Sequence, residues 1–363
     1  MDKLAELLVN YSVKVKKGDK VLIRMVDPIA EPLGLLVQKH VLLAGGNPMF
    51  LMAPSQAAEY LYRYGNDKQL EWLNPMHMWL YENIDVMITL IAGQNSKALS
   101  GVEPARISRA QKARAPLSKT FMDRQATGAL RWTLTNYPNP SSAQDAEMSL
   151  ADYEDFVYSA CMVEQKDPVA HWKKVAADQQ RLITWLKGKS KVEVKGDNID
   201  LTLSIKGRKF LNADGTKNMP DGEIFTGPVE DSVNGWVRFT YPAIYNGREV
   251  DGVELEFKNG RVVKATASKG EDFLNSTLDT DEGARTLGEF AIGTNTGIKQ
   301  FTRDILFDEK MGGTVHMAFG GGYPESGSKN ESAIHWDMIC DMRTGGEIWV
   351  DGTLFYKNGK FKV

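Results

Sequence analysis

Cysteine is almost missing from this chain. Cys161 and Cys340 are the only two, far apart and outside any CxxC spacing, which excludes a disulfide framework and a thiolate-rich metal site and points to a reducing compartment. No apolar run approaches the length needed to span a bilayer. The N-terminal MDKLAELLVNYSVKVKKGDK lacks the apolar block and cleavage site of a secretory signal, so the expected location is the cytoplasm. Neither sign of charge dominates: 44 Lys and Arg face 47 Asp and Glu, for a net charge of -3. That balance makes no electrostatic case for nucleic acid or an anionic membrane surface. A nucleotide fingerprint is absent too. The first strand-to-helix turn, VDPIAEP, has no glycine, and FGGGYP at Phe319–Pro324 has neither GxGxxG spacing nor a following Lys-Ser/Thr. Histidine is scarce, with five in all. His40, His77 and His171 stand singly in helical segments without convergent partners and read as structural or surface residues. Arg106, Arg109, Lys112 and Arg114 are spaced along a helix as a solvated face.

What is present is the composition of an ordinary globular protein, 42% hydrophobic and 25% charged, in a chain long enough for two domains. Up to about Gly188 short apolar runs alternate with amphipathic segments. Strands are expected at Lys20–Val26, Asn47–Ala53, Asp85–Gly93 and Leu130–Asn136. Helices are expected around Leu4–Leu8, at Glu31–Ala44 with a Gly45-Gly46 stop, at Ser55–Arg63, as one long piece over Pro104–Arg124, and at Leu150–Met162 and Pro168–Leu186. Continuous apolar strands between helices indicate a parallel sheet covered on both faces, an α/β layered domain. The pattern changes at Lys187-Gly188-Lys189-Ser190, which reads as a linker, placing the domains at 1–188 and 189–363. The second half is β-rich α+β. Asn259-Gly260 and Asn358-Gly359 mark hairpins, and a short helix is expected near Asp281–Leu287.

Candidate chemistry concentrates in Phe307–Met338, FDEKMGGTVHMAFGGGYPESGSKNESAIHWDM. Glu309 lies seven residues before His316, and Tyr323 seven after it. If VHMAF is helical, that spacing of about two turns puts His316 and Tyr323 on one face. In AIHWDMIC, His335 and Asp337 stand two apart on an expected strand and so point to the same side. Imidazoles with carboxylates and no thiolate form a ligand set for a hard-to-borderline divalent ion. A single His-x-Asp is more often the chemistry of a solvated surface; the clustering shifts the reading to a site. Glu223 in PDGEIFTGP and Glu289 in LGEFAIGTN are carboxylates among glycines and apolar residues, each of which alone also fits an ordinary strand end.

Taken in order, Glu223, Glu289, Glu309 in LFDE, His316 and Tyr323 in HMAFGGGY, and His335 with Asp337 in NESAIHWDM resemble the metal-dependent aminopeptidases of the aminopeptidase T and aminopeptidase S type. The resemblance runs over nearly the whole chain and is strongest from Met219 onward. It implies a dinuclear hydrolase that removes the N-terminal residue of short peptides through a metal-bridging hydroxide. Under it Glu223, Glu289, Glu309, His316, His335 and Asp337 are metal ligands with Glu289 bridging, and Tyr323 donates to the oxyanion. The cofactors implied are two divalent ions, among zinc, cobalt, manganese and magnesium. An N-terminal domain covering the cleft, a C-terminal catalytic domain and a homodimer are also implied, with peptides bearing a free N-terminus as partners. Another dinuclear hydrolase, such as a phosphoesterase, would use the same ligand types, and a non-catalytic relative binding metal or peptide would keep the fold. No arginine adjoins the ligand motifs, as a phosphate substrate would favour, and the full set argues against a lapsed site.

Overall fold

The computed structural model describes residues 1–363, which divide into two compact units. The first comprises Met1–Val169 and Gly215–Pro220. Its sheet holds the strands Asn47–Met52, Lys20–Met25, Val86–Ile91, Arg131–Asn136 and Asn218–Met219 in that order, all parallel. The four strands before residue 140 coincide with the apolar runs that predict them. Leu22, Met87, Ile84 and Leu130 form one of its apolar clusters, with Met49, Leu80, Phe121 and Trp132 packed against it. Helix Glu31–Leu43 stops where the glycines require: Gly45 takes φ +81°, and the amides of Gly45 and Gly46 return to the carbonyls of Leu42 and Val41. The long helix expected over Pro104–Arg124 is two helices, Pro104–Ala113 and Ala115–Ala126. Pro116 is the cause, since it has no N–H and its ring clashes with the carbonyl four residues back. Nor is the basic face wholly solvated, because the Arg106 guanidinium donates to the Tyr62 carbonyl at 2.6 Å.

The second unit comprises Ala170–Asp214 and Asp221–Val363. Its start lies within helix Pro168–Leu186 rather than at the Lys/Gly/Ser stretch expected as the boundary. Side-chain contacts explain the difference. Leu182 and Leu186 join this unit's core, and the Gln179 amide donates to Asn212, to the Ala213 carbonyl at 3.0 Å and to the Glu223 carbonyl at 3.1 Å. An eight-stranded sheet and a five-stranded sheet share one apolar core, with Val194, Leu201, Val237, Leu255 and Phe257 from the first and Ile224, Phe290, Ile292, Met317, Phe319 and Met338 from the second. Both expected hairpins form: Lys258 pairs with Arg261 and Lys357 with Lys360, and Asn259, Gly260, Asn358 and Gly359 all take positive φ as a two-residue turn demands. The expected helix at Asp281–Leu287 is a looped turn; the helix is Glu271–Leu278 instead. Asp281 has another task, accepting the Ser332 hydroxyl and the Ala333 amide at 2.7 Å each.

Candidate metal centre

The five-stranded sheet runs in the order His335–Asp341, Thr314–Gly320, Leu287–Gly293, Glu223–Thr226, Leu211–Ala213. One face carries Phe290, Ile292, Val315, Met317, Phe319, Trp336 and Met338 into the apolar core. Alternation therefore sends Glu223, Glu289, Ala291, His316, Ala318, His335 and Asp337 to the other face. Register brings them together: Ala318 lies opposite Glu289 on one side and Asp337 on the other, and His316 lies opposite Ala291. The alanines keep the floor low between the converging carboxylates and imidazoles. Segment VHMAF is thus a strand, not a helix, and Tyr323 follows it in a loop rather than sharing a helical face with His316. Both central strands are buried along their whole length, which erases the polar alternation by which a half-exposed strand is recognised.

Glu289 reaches this face through a bulge. Leu287 pairs with Phe319 but Glu289 with Ala318, so Gly288 is an extra residue. Without it Leu287 and Glu289 would point the same way; with it Leu287 stays in the core and Glu289 turns out of it. Only glycine fits there, because a Cβ would meet the carbonyl oxygens of Gly320 and Gly321 at 2.4 and 2.5 Å.

The side chains converge closely. His316 Nε2 lies 3.3 Å from Glu223 Oε2, 3.4 Å from Glu289 Oε1 and 4.0 Å from Asp337 Oδ1. His335 Nε2 lies 3.6 Å from Glu289 Oε2 and 3.5 Å from Asp337 Oδ1. Its Nδ1–H donates to the Gly321 carbonyl at 2.7 Å, which aims Nε2 into the cluster. Three groups have ligand atoms within 4.8 Å of one another: Glu223, Glu289 and His316; Glu289, His335 and Asp337; Glu309, His316 and Asp337. Every one of the seven residues named from sequence is here, with the Tyr323 ring edge-on to His335 at 5.5 Å.

Electrostatics are those of crowded carboxylates out of water. Burial, with Glu309 and Glu289 adding to it, pushes Glu223 up to about 8 against the pull of Lys310 and His316. Burial also raises Glu309, whereas the imidazoles and Lys310 overcome burial at Asp337 and hold it below the usual range. Burial works against the imidazolium of His316, but Glu223, Glu289 and Asp337 outweigh it and raise the group to about 10; His335 rises to about 10 for the same reason. Loss of water and then the nearby carboxylates push the Tyr323 phenol upward, so it is a neutral O–H donor.

Lys310 escaped the sequence reading. In FDEK it looks like half of a solvated Glu-Lys pair, yet it is 0% exposed, with Nζ 3.5 Å from Glu223 Oε1 and in close contact with Glu309 Oε1. Phe225 was missed as well; it lies on the ligand face and meets the Tyr323 ring edge-on at 5.3 Å. Neither has a local signal, because both depend on pairing between distant strands.

The donor set fits divalent cations. Four carboxylates and two imidazoles converge, and the buried Glu223 Oε2 and Asp337 Oδ1 have no hydrogen-bond partner. Buried polar atoms left so are rare unless something else satisfies them. A sheet-borne carboxylate–imidazole centre of this kind places the protein in the class of metal-dependent enzymes. Residues 1–361 match the family described as thermophilic metalloprotease (M29), and the chain belongs to that family. It is 28% identical to aminopeptidase T of Thermus thermophilus, a match covering 99% of this chain and 95% of that one. Its identity to aminopeptidase 2 of Geobacillus stearothermophilus is 27%, over 99% and 95% of the two chains. The solved structure of wild-type AmpT from Thermus thermophilus shares the fold with a TM-score of 0.86, at 24% identity over 100% of this chain and 98% of that one. A 2,5-dihydroxypyridine dioxygenase from Pseudomonas putida KT2440 is similar in fold alone, with a TM-score of 0.58 and 13% identity over 100% and 96%. No helix is long and apolar enough to cross a membrane.

Proposed function

We propose that this protein is a cytoplasmic, homodimeric aminopeptidase that removes single residues from the free N-terminus of short peptides at a two-ion centre. The observation that carries the reading is the position of Glu289. Its two oxygens face different imidazoles, Oε1 towards His316 and Oε2 towards His335, so one carboxylate belongs to two ligand groups. Glu223 and His316 complete one group, His335 and Asp337 the other, and Glu309 adds a further carboxylate between His316 and Asp337. Divalent ions in such a centre supply a Lewis acid and a hydroxide nucleophile near neutral pH.

The chain's own residues do the rest. Tyr323 stands at the edge of the cluster, 44% exposed, with its ring held between Phe225 and His335. From there its neutral hydroxyl donates to the oxygen of the scissile carbonyl as negative charge develops on it. Family membership and relatives named as aminopeptidases support the peptide substrate. The test is a set of dipeptides to hexapeptides offered with free and with acetylated N-termini. Acetylation turns the basic amine into a neutral amide without an available lone pair and displaces the first peptide bond. Free peptides are expected to shorten one residue at a time while acetylated ones stay intact. Internal cleavage of the acetylated set would make the protein an endopeptidase.

A further inference from the structure

Lys310 is a fully buried cation inside a centre built to hold cations. Its backbone is fixed on both sides: its amide donates to the Phe307 carbonyl at 3.0 Å, and its own carbonyl accepts the Asn295 amide at 3.0 Å. Just before it, Asp308 Oδ1 accepts the Thr302 amide at 2.7 Å and hydroxyl at 2.9 Å, which closes the loop that delivers Glu309 and Lys310. The other wall is equally tight, since a Cβ on Gly293 would strike the Met311 carbonyl oxygen at 2.1 Å. An ammonium buried this way is costly unless paired, and a methionine would fill similar volume without that penalty. The charge therefore calls for a reason other than packing.

We propose that Lys310 is a resident counter-cation of the centre, a positioning residue that holds one oxygen each of Glu223 and Glu309 before divalent ions arrive. The Glu223 Oε2 atom is left facing His316 Nε2 at 3.3 Å, ready for an ion. Lys310 thereby limits both carboxylates to a single free oxygen. It also weakens ion binding, because its charge repels the ions it sits beside, and in exchange it keeps the ion-free ligand set assembled. The proposal rests on the metal-centre reading given above.

The test uses Lys310→Met and Lys310→Gln in the full chain, with Mn²⁺ as the probe. Thermal midpoints are measured in metal-free and Mn²⁺-saturated protein, and Mn²⁺ affinity by competition with a chelating dye. Both variants should melt earlier than the unaltered protein when metal-free and bind Mn²⁺ at least tenfold more tightly, so that saturation closes the gap. A variant that is unfolded without Mn²⁺ and folds with it is the extreme form of this result. Unchanged midpoints and affinity would reduce Lys310 to packing. Weaker Mn²⁺ binding, wild-type behaviour of Lys310→Gln, or failure of both variants to fold at saturating Mn²⁺ would also overturn the counter-cation role. Should the unaltered protein take up no divalent ion, the metal-centre reading itself falls, whatever the variants do.

Discussion

On the proposed reading, Tyr323 is the residue at which holding ions and using them can be separated. It is not one of the converging carboxylates and imidazoles, and its contacts with Phe225 and His335 are made by the ring. Tyr323→Phe removes a hydroxyl and leaves both ring contacts, so bound metal and the melting temperature should not change. Loss of an oxyanion donor lowers kcat by roughly 10²–10³-fold with little effect on KM. Steady-state kinetics beside metal analysis of the same preparation checks this. An unchanged kcat would leave Tyr323 as a packing residue at the edge of the cluster.

Among the elements, the bulge at Gly288 decides whether a centre exists. It divides strand Leu287–Gly293 between two faces, the apolar core taking Leu287, Phe290 and Ile292 and the carboxylate–imidazole cluster taking Glu289. Gly288→Ala forces a methyl group against the carbonyls of Gly320 and Gly321, which belong to the turn that carries Gly321 onto His335 Nδ1. Relief requires moving the strand and that turn apart. The expected loss is about 1–3 kcal/mol of stability, as for other overpacked sites, together with weaker ion binding. Chemical denaturation and a metal titration measure the two effects. Retention of full ion affinity would show that the turn can shift without disturbing His335 or Glu289.

At the scale of the whole molecule, the centre ties fold stability to pH. In metal-free protein, His316 and His335 rise from 6.5 to about 10, so their contribution is complete below pH 6.5 and is lost as pH climbs through 10. Glu223 rises from 4.5 to about 8 and acts with the same sign, favouring the fold while protonated and losing that contribution through pH 8. Asp337 is lowered and has the opposite sign, but its contribution is lost only on acidification below its ordinary 3.8. The metal-free protein should therefore melt at progressively lower temperature between pH 6.5 and 10. Divalent ions take the place of these protons, so their affinity should rise over the same window and their addition should flatten the decline. Melting curves across that range, with and without ions, measure it; a metal-free midpoint that rises with pH would contradict the coupling of the imidazoles to the carboxylates.

Much of this was legible in the amino-acid sequence by itself. The parallel strands of the first unit, the hairpins at Asn259-Gly260 and Asn358-Gly359, and the His-x-Asp strand follow from local periodicity and turn chemistry, which neighbouring residues determine. The order of Glu223, Glu289, Glu309, His316, Tyr323, His335 and Asp337 was legible too, as a resemblance. Only tertiary structure decided that VHMAF is a strand, because burial on both faces removes the alternation that separates a strand from a helix. Only cross-strand register showed that Gly288 turns Glu289 out of the apolar core. The same holds for Lys310. Whether a Glu-Lys pair lies in water or at the centre of a ligand cluster depends on what distant strands bring beside it, and that geometry is absent from any local stretch of chain.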